Sequence, residues 1–202
     1  MNTVDQLKQA ARRLSAACDE AIAGLEASGA VAHATNPLDY AWAHHEQFLD
    51  LWGGLGATTL LLGMNPGPWG MAQTGVPFGA TQVARDFLRI EGRPLSTPAN
   101  AHPKRPIVGM DLERQEVSGT RLWNLMEEMY GSPEAAFADL FVVNHCPLLL
   151  LGDEAELEKR SGADAPRPHV GFLRHPISTG GHEVEASHPR LPRGSPAHPP
   201  SR

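Results

Sequence analysis

The chain has 202 residues, of which 41% are hydrophobic and 20% are charged, and its formal net charge is -6. This length accommodates one globular domain with a sizeable core. It contains neither a secretory signal nor an apolar run of about 18 residues, so we expect a soluble intracellular protein without a membrane partner. The acidic balance argues against a nucleic-acid partner unless basic residues cluster locally.

Proline and glycine together make up 38 of the 202 residues, about 19%, against roughly 12% in ordinary proteins. Residues 161–202 hold 8 of the 18 prolines and show almost no apolar periodicity. Such a segment buries too little surface to offset its chain entropy. We therefore expect a folded domain over 1–152 and a tail over 153–202, in which a short acidic helix (153–160) precedes a disordered Pro/Arg/His-rich segment.

The elements predicted for the folded part alternate between helices and short buried strands. The first helix begins at a capping box formed by Thr3 and Gln6 and continues to Gly29. Further helices are predicted near 39–51, 80–90, 119–129 and 133–139, and buried strands at 57–63 and 141–144. This alternation predicts an α/β fold with a parallel sheet flanked by helices.

A loop rich in glycine and proline follows the first predicted strand. Residues 63–79 contain five glycines and three prolines in 17 positions. Proline fixes the backbone and glycine allows a ligand to approach it, so the loop is expected to be rigid and close-fitting. It has neither the Lys-Ser/Thr of a phosphate-binding loop nor the GxGxxG of a dinucleotide fold, which disfavours nucleoside triphosphate and NAD as ligands.

The second predicted strand ends in Asn144-His145-Cys146-Pro147. In open α/β sheets ligands bind beyond the carboxyl ends of the strands. The planar amide of Asn144 suits a planar ligand such as a pyrimidine edge, although the same side chain could cap a turn. The other cysteine of the chain, Cys18, is distant from Cys146 in sequence, and no CxxC occurs. Neither a disulfide scaffold nor a cysteine metal site is therefore expected.

A series of motifs carries a resemblance to a known family. The loop GMNPGPWGMAQTGVPFG resembles the first active-site motif of the single-strand-selective monofunctional uracil-DNA glycosylases, within the uracil-DNA glycosylase superfamily. The similarity extends over about residues 30–151 through NPLDYAW, HPKRP, SGTRLW and NHCPL. It implies the superfamily's fold and a hydrolase for DNA base-excision repair, which we expect to act as a monomer. Such an enzyme excises uracil and some 5-substituted uracils from single- or double-stranded DNA, without metal or cofactor.

The resemblance also implies roles for individual residues. Asn65 would be the catalytic residue that positions the attacking water, and Phe78 would stack beneath the flipped base. Asn144 would recognise the uracil N3-H and O4, while Met64 and Gly67 would line the pocket. A phenylalanine in an apolar loop can equally belong to the core, which is the competing interpretation of Phe78.

A local basic surface could answer the charge objection. Residues 79–121 carry seven basic and five acidic side chains within an otherwise acidic domain. Lys104, Arg105 and Arg121 are the expected DNA-binding residues, with an ordinary solvated loop as the alternative for the first two. The thin excess of positive charge predicts modest DNA affinity that depends strongly on salt.

The chain departs from the family after the second strand, where relatives continue with further strands and an HPSPxNP motif. Its closest strings are His175-Pro176-Ile177-Ser178 and His188-Pro189-Arg190, both in low-complexity surroundings. We expect the C-terminal part to be missing or out of frame and the first strand to form an exposed apolar edge. Impaired excision would follow, and the alternative is a non-catalytic remnant that binds DNA or uracil.

Overall fold

The computed structural model describes residues 1–98, 100–152 and 171–173 and has a mixed α/β architecture. A 3-10 turn at Gly109–Asp111 precedes the helix at Val117–Tyr130. The helices are α1 (Thr3–Ala27), α2 (Pro37–Tyr40), α3 (Trp42–Trp52), α4 (Met71–Thr74), α5 (Thr81–Asp86), α6 (Val117–Tyr130) and α7 (Pro133–Asp139).

The strands form two small sheets. They are β1 (His33–Thr35), β2 (Thr59–Gly63), β3 (Leu140–Asn144), β4 (Leu149–Leu151) and β5 (Gly171–Leu173). Strands β1 and β4 pair antiparallel, and the second sheet has the order β3-β2-β5. Neither β1 nor β4 was predicted, because three residues are too short to show an alternation of apolar and polar side chains.

The two strands that were predicted from sequence are adjacent and parallel, as expected. Thr59 pairs with Leu140 at one end of the register and Gly63 pairs with Asn144 at the other. Beyond the strands, the His145 N-H donates to the Gly63 carbonyl (2.8 Å) and the Cys146 N-H to the Met64 carbonyl (2.9 Å). Both chain segments therefore leave the sheet at the same edge, where a ligand site is expected.

Strand β5 corrects two expectations about the C-terminal part. The prediction that 161–202 contains no regular structure is wrong for Gly171–Leu173, which pairs antiparallel with β2 from Leu60 to Leu62. Strand β2 is consequently central and not an exposed edge, because β5 bonds to the side that β3 leaves open. The predicted acidic helix at 153–160 and the strings at His175 and His188 lie outside the described residues.

Local capping explains where the helix boundaries differ from the predictions. The capping box of α1 consists of Asn2 and Asp5, one residue before the predicted pair, because the Asn2 amide accepts the Asp5 N-H (2.8 Å). The helix expected at 39–51 is split in two at Ala41, whose backbone (φ -110°, ψ 23°) is not helical. None of the described helices is long and apolar enough to cross a bilayer.

An aromatic cluster joins the helices to the sheet. The Phe137 ring stacks on Trp52 with centroids 5.2 Å apart and meets the edge of Phe48 at 5.6 Å, and Trp123 and Phe141 complete the group. Burying one such side chain contributes about 1.5–3 kcal/mol, and aromatic pairing adds about 0.5–1.5 kcal/mol. The cluster therefore holds α3, α6 and α7 against β3 and fixes α6 beside the loop after β2.

Candidate functional site

A cavity of about 290 Å³ opens at the edge where β2 and β3 end. It brings together all five residues that were predicted to catalyse or to bind the base, on two separate chain segments. Its lining consists of Gly63, Met64, Asn65, Pro66, Gly67, Met71, Phe78, Glu116, Ser118 and Asn144. The predicted DNA-binding residues Lys104, Arg105 and Arg121 do not line it.

Gly63 allows two of these side chains to meet at the end of β2. A Cβ atom at this position would lie 2.7 Å from Cε2 of the Phe78 ring and would also overlap Oδ1 of Asn144. Asn144 lies opposite Gly63 in the parallel register, and its amide donates to the sulfur of Met71 (3.1 Å). Sulfur is a weak acceptor, so this amide can exchange its partner for a stronger one.

Phe78 is presented to the cavity by a constrained backbone. All residues from 70 to 81 are buried except Phe78, which is partly exposed. Its φ of 54° lies in the left-handed region, which costs a non-glycine residue about 1–3 kcal/mol. The Phe78 carbonyl accepts hydrogen bonds from the Trp123 indole (3.1 Å) and the Ala80 N-H (2.9 Å), which hold this conformation.

Gln73 clamps the loop to the proline-rich connection that follows α5. Its side chain is fully buried in α4 and donates to the carbonyls of Pro68 (2.9 Å) and Pro106 (3.0 Å). Its Oε1 accepts the N-H groups of Val108 (2.9 Å) and Gly109 (3.1 Å). The amide thus satisfies four backbone groups of two separate segments.

Buried polar groups also fix the loop from the side of α2 and α3. The Tyr40 hydroxyl donates to the Ala72 carbonyl (2.7 Å), and burial raises the pKa of Tyr40. Nδ1 of His45 lies 2.8 Å from the Gly75 carbonyl, and burial lowers the pKa of His45 to about 4. His45 is therefore neutral near pH 7 and can donate its ring N-H to the loop.

Asn65 lies at the rim of the cavity, on the exposed part of the loop. Its side-chain amide donates to the Pro66 carbonyl (3.2 Å), and its neighbour Met64 is 57% exposed. An amide at an open rim can orient a water molecule through its carbonyl oxygen, but it cannot remove a proton as a strong base.

Sequence reasoning missed Glu116 and Ser118, which form the opposite wall at the start of α6. Oε2 of Glu116 is buried and has no hydrogen-bond partner among the described residues. Burial raises the pKa of this carboxyl from its ordinary 4.5 to about 7. Ser118 and Gly119 lie in one of the matched motifs, but a single acidic residue before a helix gives no functional signal in sequence.

The three predicted DNA-binding residues have different surroundings. Arg105 and the unpredicted Arg114 lie over the Trp69 ring, 5.2 Å and 4.3 Å from its centroid. Lys104 and Arg121 are exposed side chains outside this group. Other cations of the basic stretch have local partners, as in the bond from Arg85 to the Met110 carbonyl and the ion pairs Arg89–Glu134 and Arg93–Glu91.

Neither cysteine forms a disulfide: Cys18 is buried and Cys146 is partly buried. Within the described parts of the chain, no three His, Cys, Asp or Glu side chains are grouped so that they could hold a metal ion.

Comparison with known proteins gives the family context of this site. No protein-family model matches the chain. It is 49% identical over 116 residues to the single-strand selective monofunctional uracil DNA glycosylase of Bos taurus, a match that covers 57% of this chain and 42% of the relative. The protein of that name from Rattus norvegicus is 46% identical over 134 residues, covering 66% and 47%, and the one from Mus musculus is 48% identical over 116 residues, covering 57% and 41%.

The chain thus spans somewhat less than half the length of the curated relatives it matches. Identity of nearly one residue in two over more than a hundred positions is the expectation for proteins of common descent, and it agrees with the motifs found in the sequence. Over these matched residues, the chain is homologous to the single-strand-selective monofunctional uracil-DNA glycosylases.

Proposed function

We propose that this chain is a monofunctional DNA glycosylase domain that binds uracil in DNA and hydrolyses its N-glycosidic bond. The observation that carries the proposal is the meeting of Asn65, Phe78 and Asn144 in one cavity at the carboxyl ends of two parallel strands. The names of the relatives, which are uracil-DNA glycosylases, support the same activity.

Recognition of the base rests on Phe78 and Asn144. The partly exposed Phe78 ring offers an aromatic face on which a flipped pyrimidine can stack. The Asn144 amide offers a donor and an acceptor in one plane, which match the O4 and N3-H of uracil. Cytosine presents the opposite pattern at these two positions and leaves both amide groups unmatched. The rigid loop keeps this geometry before the base enters.

Hydrolysis breaks the bond between C1′ of the sugar and N1 of the base, and a water oxygen bonds to C1′. Asn65 orients this water. Because an amide is not a strong base, the bond to the base must be largely broken before water adds, through an oxocarbenium-like sugar. The base leaves with the bonding electron pair, and the proton released by water completes the balance on the departing uracil.

The finer architecture and the partners belong to the same proposal. Residues 1–152 would form the glycosylase-like unit, with the sheet and flanking helices of the uracil-DNA glycosylase superfamily, and act as a monomer on single- or double-stranded DNA. The cations over Trp69 support contact with phosphates near the cavity. Neither a metal nor a cofactor is required by the proposed chemistry.

The direct test uses a labelled single-stranded oligonucleotide that contains one uracil. Excision is detected by alkaline cleavage at the abasic site, and we expect it for the chain as written but not for Asn65→Ala. The matched control is Asn124→Ala, which removes an exposed asparagine of α6 and should excise as the parent does.

Binding of the same oligonucleotide separates the alternatives. Uracil-selective binding without cleavage would contradict the enzymatic function and support the alternative from the sequence, a non-catalytic protein that binds DNA or uracil. No selective binding and no cleavage would overturn both functions. Excision by Asn65→Ala at the parent rate would remove Asn65 from the mechanism.

A further inference from the structure

Glu116 is the ionisable side chain among the described residues that line the cavity, and the proposed reaction leaves it unused. It precedes α6 but does not cap that helix with its side chain. Its buried Oε2 therefore has no partner within the helix or elsewhere in the described chain. A buried polar atom without a partner is uncommon and indicates that water or a ligand supplies the missing bond.

The loop opposite Glu116 is shaped around its carboxyl group. A Cβ atom on Gly67 or Gly70 would overlap the carboxyl oxygens, and one on Gly119 would lie 2.9 Å from Oε2. Glycines at these three positions therefore let two backbone segments close on the carboxyl. This packing fixes the side chain beside Asn65 and the cavity and leaves it little freedom to turn towards bulk solvent.

The surroundings also determine the charge state of the carboxyl. Burial raises the pKa of Glu116 to about 7, and no charged neighbour contributes to the shift. Charged or titratable groups on the adjoining segments include Glu113 before α6, Arg121 on α6, Arg105 and Arg114 over Trp69, and His145 and Cys146 after β3. A substantial fraction of the carboxyl is thus neutral at neutral pH and carries an O-H donor.

We propose that Glu116 is a further base-binding residue, which donates a hydrogen bond from its neutral carboxyl to a carbonyl oxygen of the pyrimidine in the cavity. The inference rests on the proposed function, since it assumes that the cavity receives this base. Negative charge grows on the base carbonyls as the glycosidic bond breaks, so a donor there strengthens its bond towards the transition state. No proton is transferred in this step, and Glu116 remains a neutral acid throughout. Carboxylic acids kept neutral by apolar surroundings serve other enzymes in this way.

The test measures binding of a single-stranded oligonucleotide that carries one 2′-fluoro-2′-deoxyuridine, whose glycosidic bond resists hydrolysis. Selectivity over the same strand with thymidine is measured from pH 5.5 to 8.5. For the parent chain we expect selectivity to fall about tenfold as Glu116 ionises, the loss of one good hydrogen bond. Glu116→Gln, which keeps a donor at every pH, should bind with little dependence on pH. Glu113→Gln removes an exposed carboxylate nearby and should behave as the parent does.

A second measurement follows the carboxyl itself by 13C NMR with labelled glutamate. Signal loss in Glu116→Gln assigns the resonance, and we expect the oligonucleotide to raise its pKa because the ligand stabilises the protonated form. Thermal unfolding of the variant at pH 6 establishes that it is folded.

Selectivity of Glu116→Gln that varies with pH as in the parent would overturn the proposal. If Glu116→Gln is less selective than the parent by the same factor at every pH, the proposal is also overturned, because a uniform loss indicates a purely structural role. If no variant and no parent binds the uracil strand selectively at any pH, the proposed function itself fails, and the inference with it. Selective binding by the parent without an effect of Glu116 leaves the function standing and removes the inference alone.

Discussion

The two walls of the cavity differ in how their buried polar groups are satisfied. In the wall formed by the loop after β2, Gln73 makes four hydrogen bonds, and Tyr40 and His45 support the loop carbonyls from behind. In the wall at the start of α6, the buried Oε2 of Glu116 and Oγ1 of Thr120 lack hydrogen-bond partners among the residues that the structure describes. The hydrogen bonds of the first wall stabilise the loop, whereas the second wall retains polar atoms that can still form hydrogen bonds.

This difference separates stability from function. Removing a group from the satisfied wall leaves several backbone groups without partners, so the cost falls on folding. Removing an unsatisfied group relieves a cost that folding already bears, so the protein becomes more stable and loses function instead.

The largest effect is expected for Gln73→Leu. The substitution preserves bulk but leaves the carbonyls of Pro68 and Pro106 and two N-H groups without their partner. Because each buried unpaired group costs about 1–3 kcal/mol and some of these reach water, we expect the free energy of unfolding to fall by about 4 kcal/mol. Urea-induced unfolding measures this change.

Gln47→Leu is the matched control for Gln73. Gln47 also bonds three backbone groups, those of Ala43 and Glu91, but it lies at a partly exposed site where water can replace it. It should cost less than about 1 kcal/mol. Equal losses in the free energy of unfolding for the two variants would show that Gln73 contributes no more to stability than a partly exposed glutamine.

Glu116→Gln should stabilise the protein at high pH. The folded-state pKa of Glu116 is raised, so the neutral carboxyl contributes fully to the free energy of unfolding below the unfolded pKa of 4.5. This contribution is lost as the pH rises to about 7. A shift of this size corresponds to roughly 3 kcal/mol. The variant and the parent should be equally stable near pH 4, and the variant should be more stable at pH 8, in thermal or urea unfolding. A difference in stability between variant and parent that stays constant from pH 4 to pH 8 would contradict the raised pKa of the buried carboxyl.

His45, which supports the satisfied wall, should make stability depend on pH in the opposite direction from Glu116. Its folded-state pKa is lowered to about 4, so its contribution is intact above 6.5 and is lost as the pH falls towards 4, by up to roughly 3 kcal/mol. His45→Gln should remove this share of the acid sensitivity. Burial also lowers the pKa of His44, so some acid sensitivity should remain. An unchanged profile between pH 6.5 and 4 would mean that His45 does not titrate as its burial requires.

The satisfied wall was the part most accessible to sequence reasoning. Five glycines and three prolines between residues 63 and 79 predicted a rigid loop, and two apolar runs predicted the parallel strands that place Asn65 and Asn144 at one edge. These features depend on local composition and on a general property of parallel sheets. The clamp by Gln73 was not predictable, because three of its four partners lie more than 30 residues further along the chain.

The unsatisfied wall was invisible in the sequence for a physical reason. Whether Glu116 is charged depends on burial between Gly67, Gly70 and the first turn of α6, which only the tertiary packing creates. The pairing of β5 with β2 was missed likewise, since three residues in a proline-rich segment have no periodicity of their own.

The smallest effect concerns the rim outside both walls. Arg105 and Arg114 lie over Trp69 without an acidic partner among the described contacts, whereas Arg89 is paired with Glu134. If the first two contact phosphates, Arg105→Gln and Arg114→Gln should each lower the slope of log affinity against log salt by about 1 on single-stranded DNA. Arg89→Gln should leave the slope unchanged. Binding titrations between about 50 and 200 mM salt, a range over which phosphate-dependent affinity falls steeply, measure these slopes. Equal slopes for all three variants would exclude the Trp69 surface as the phosphate contact and leave the exposed cations Lys104 and Arg121 to supply it.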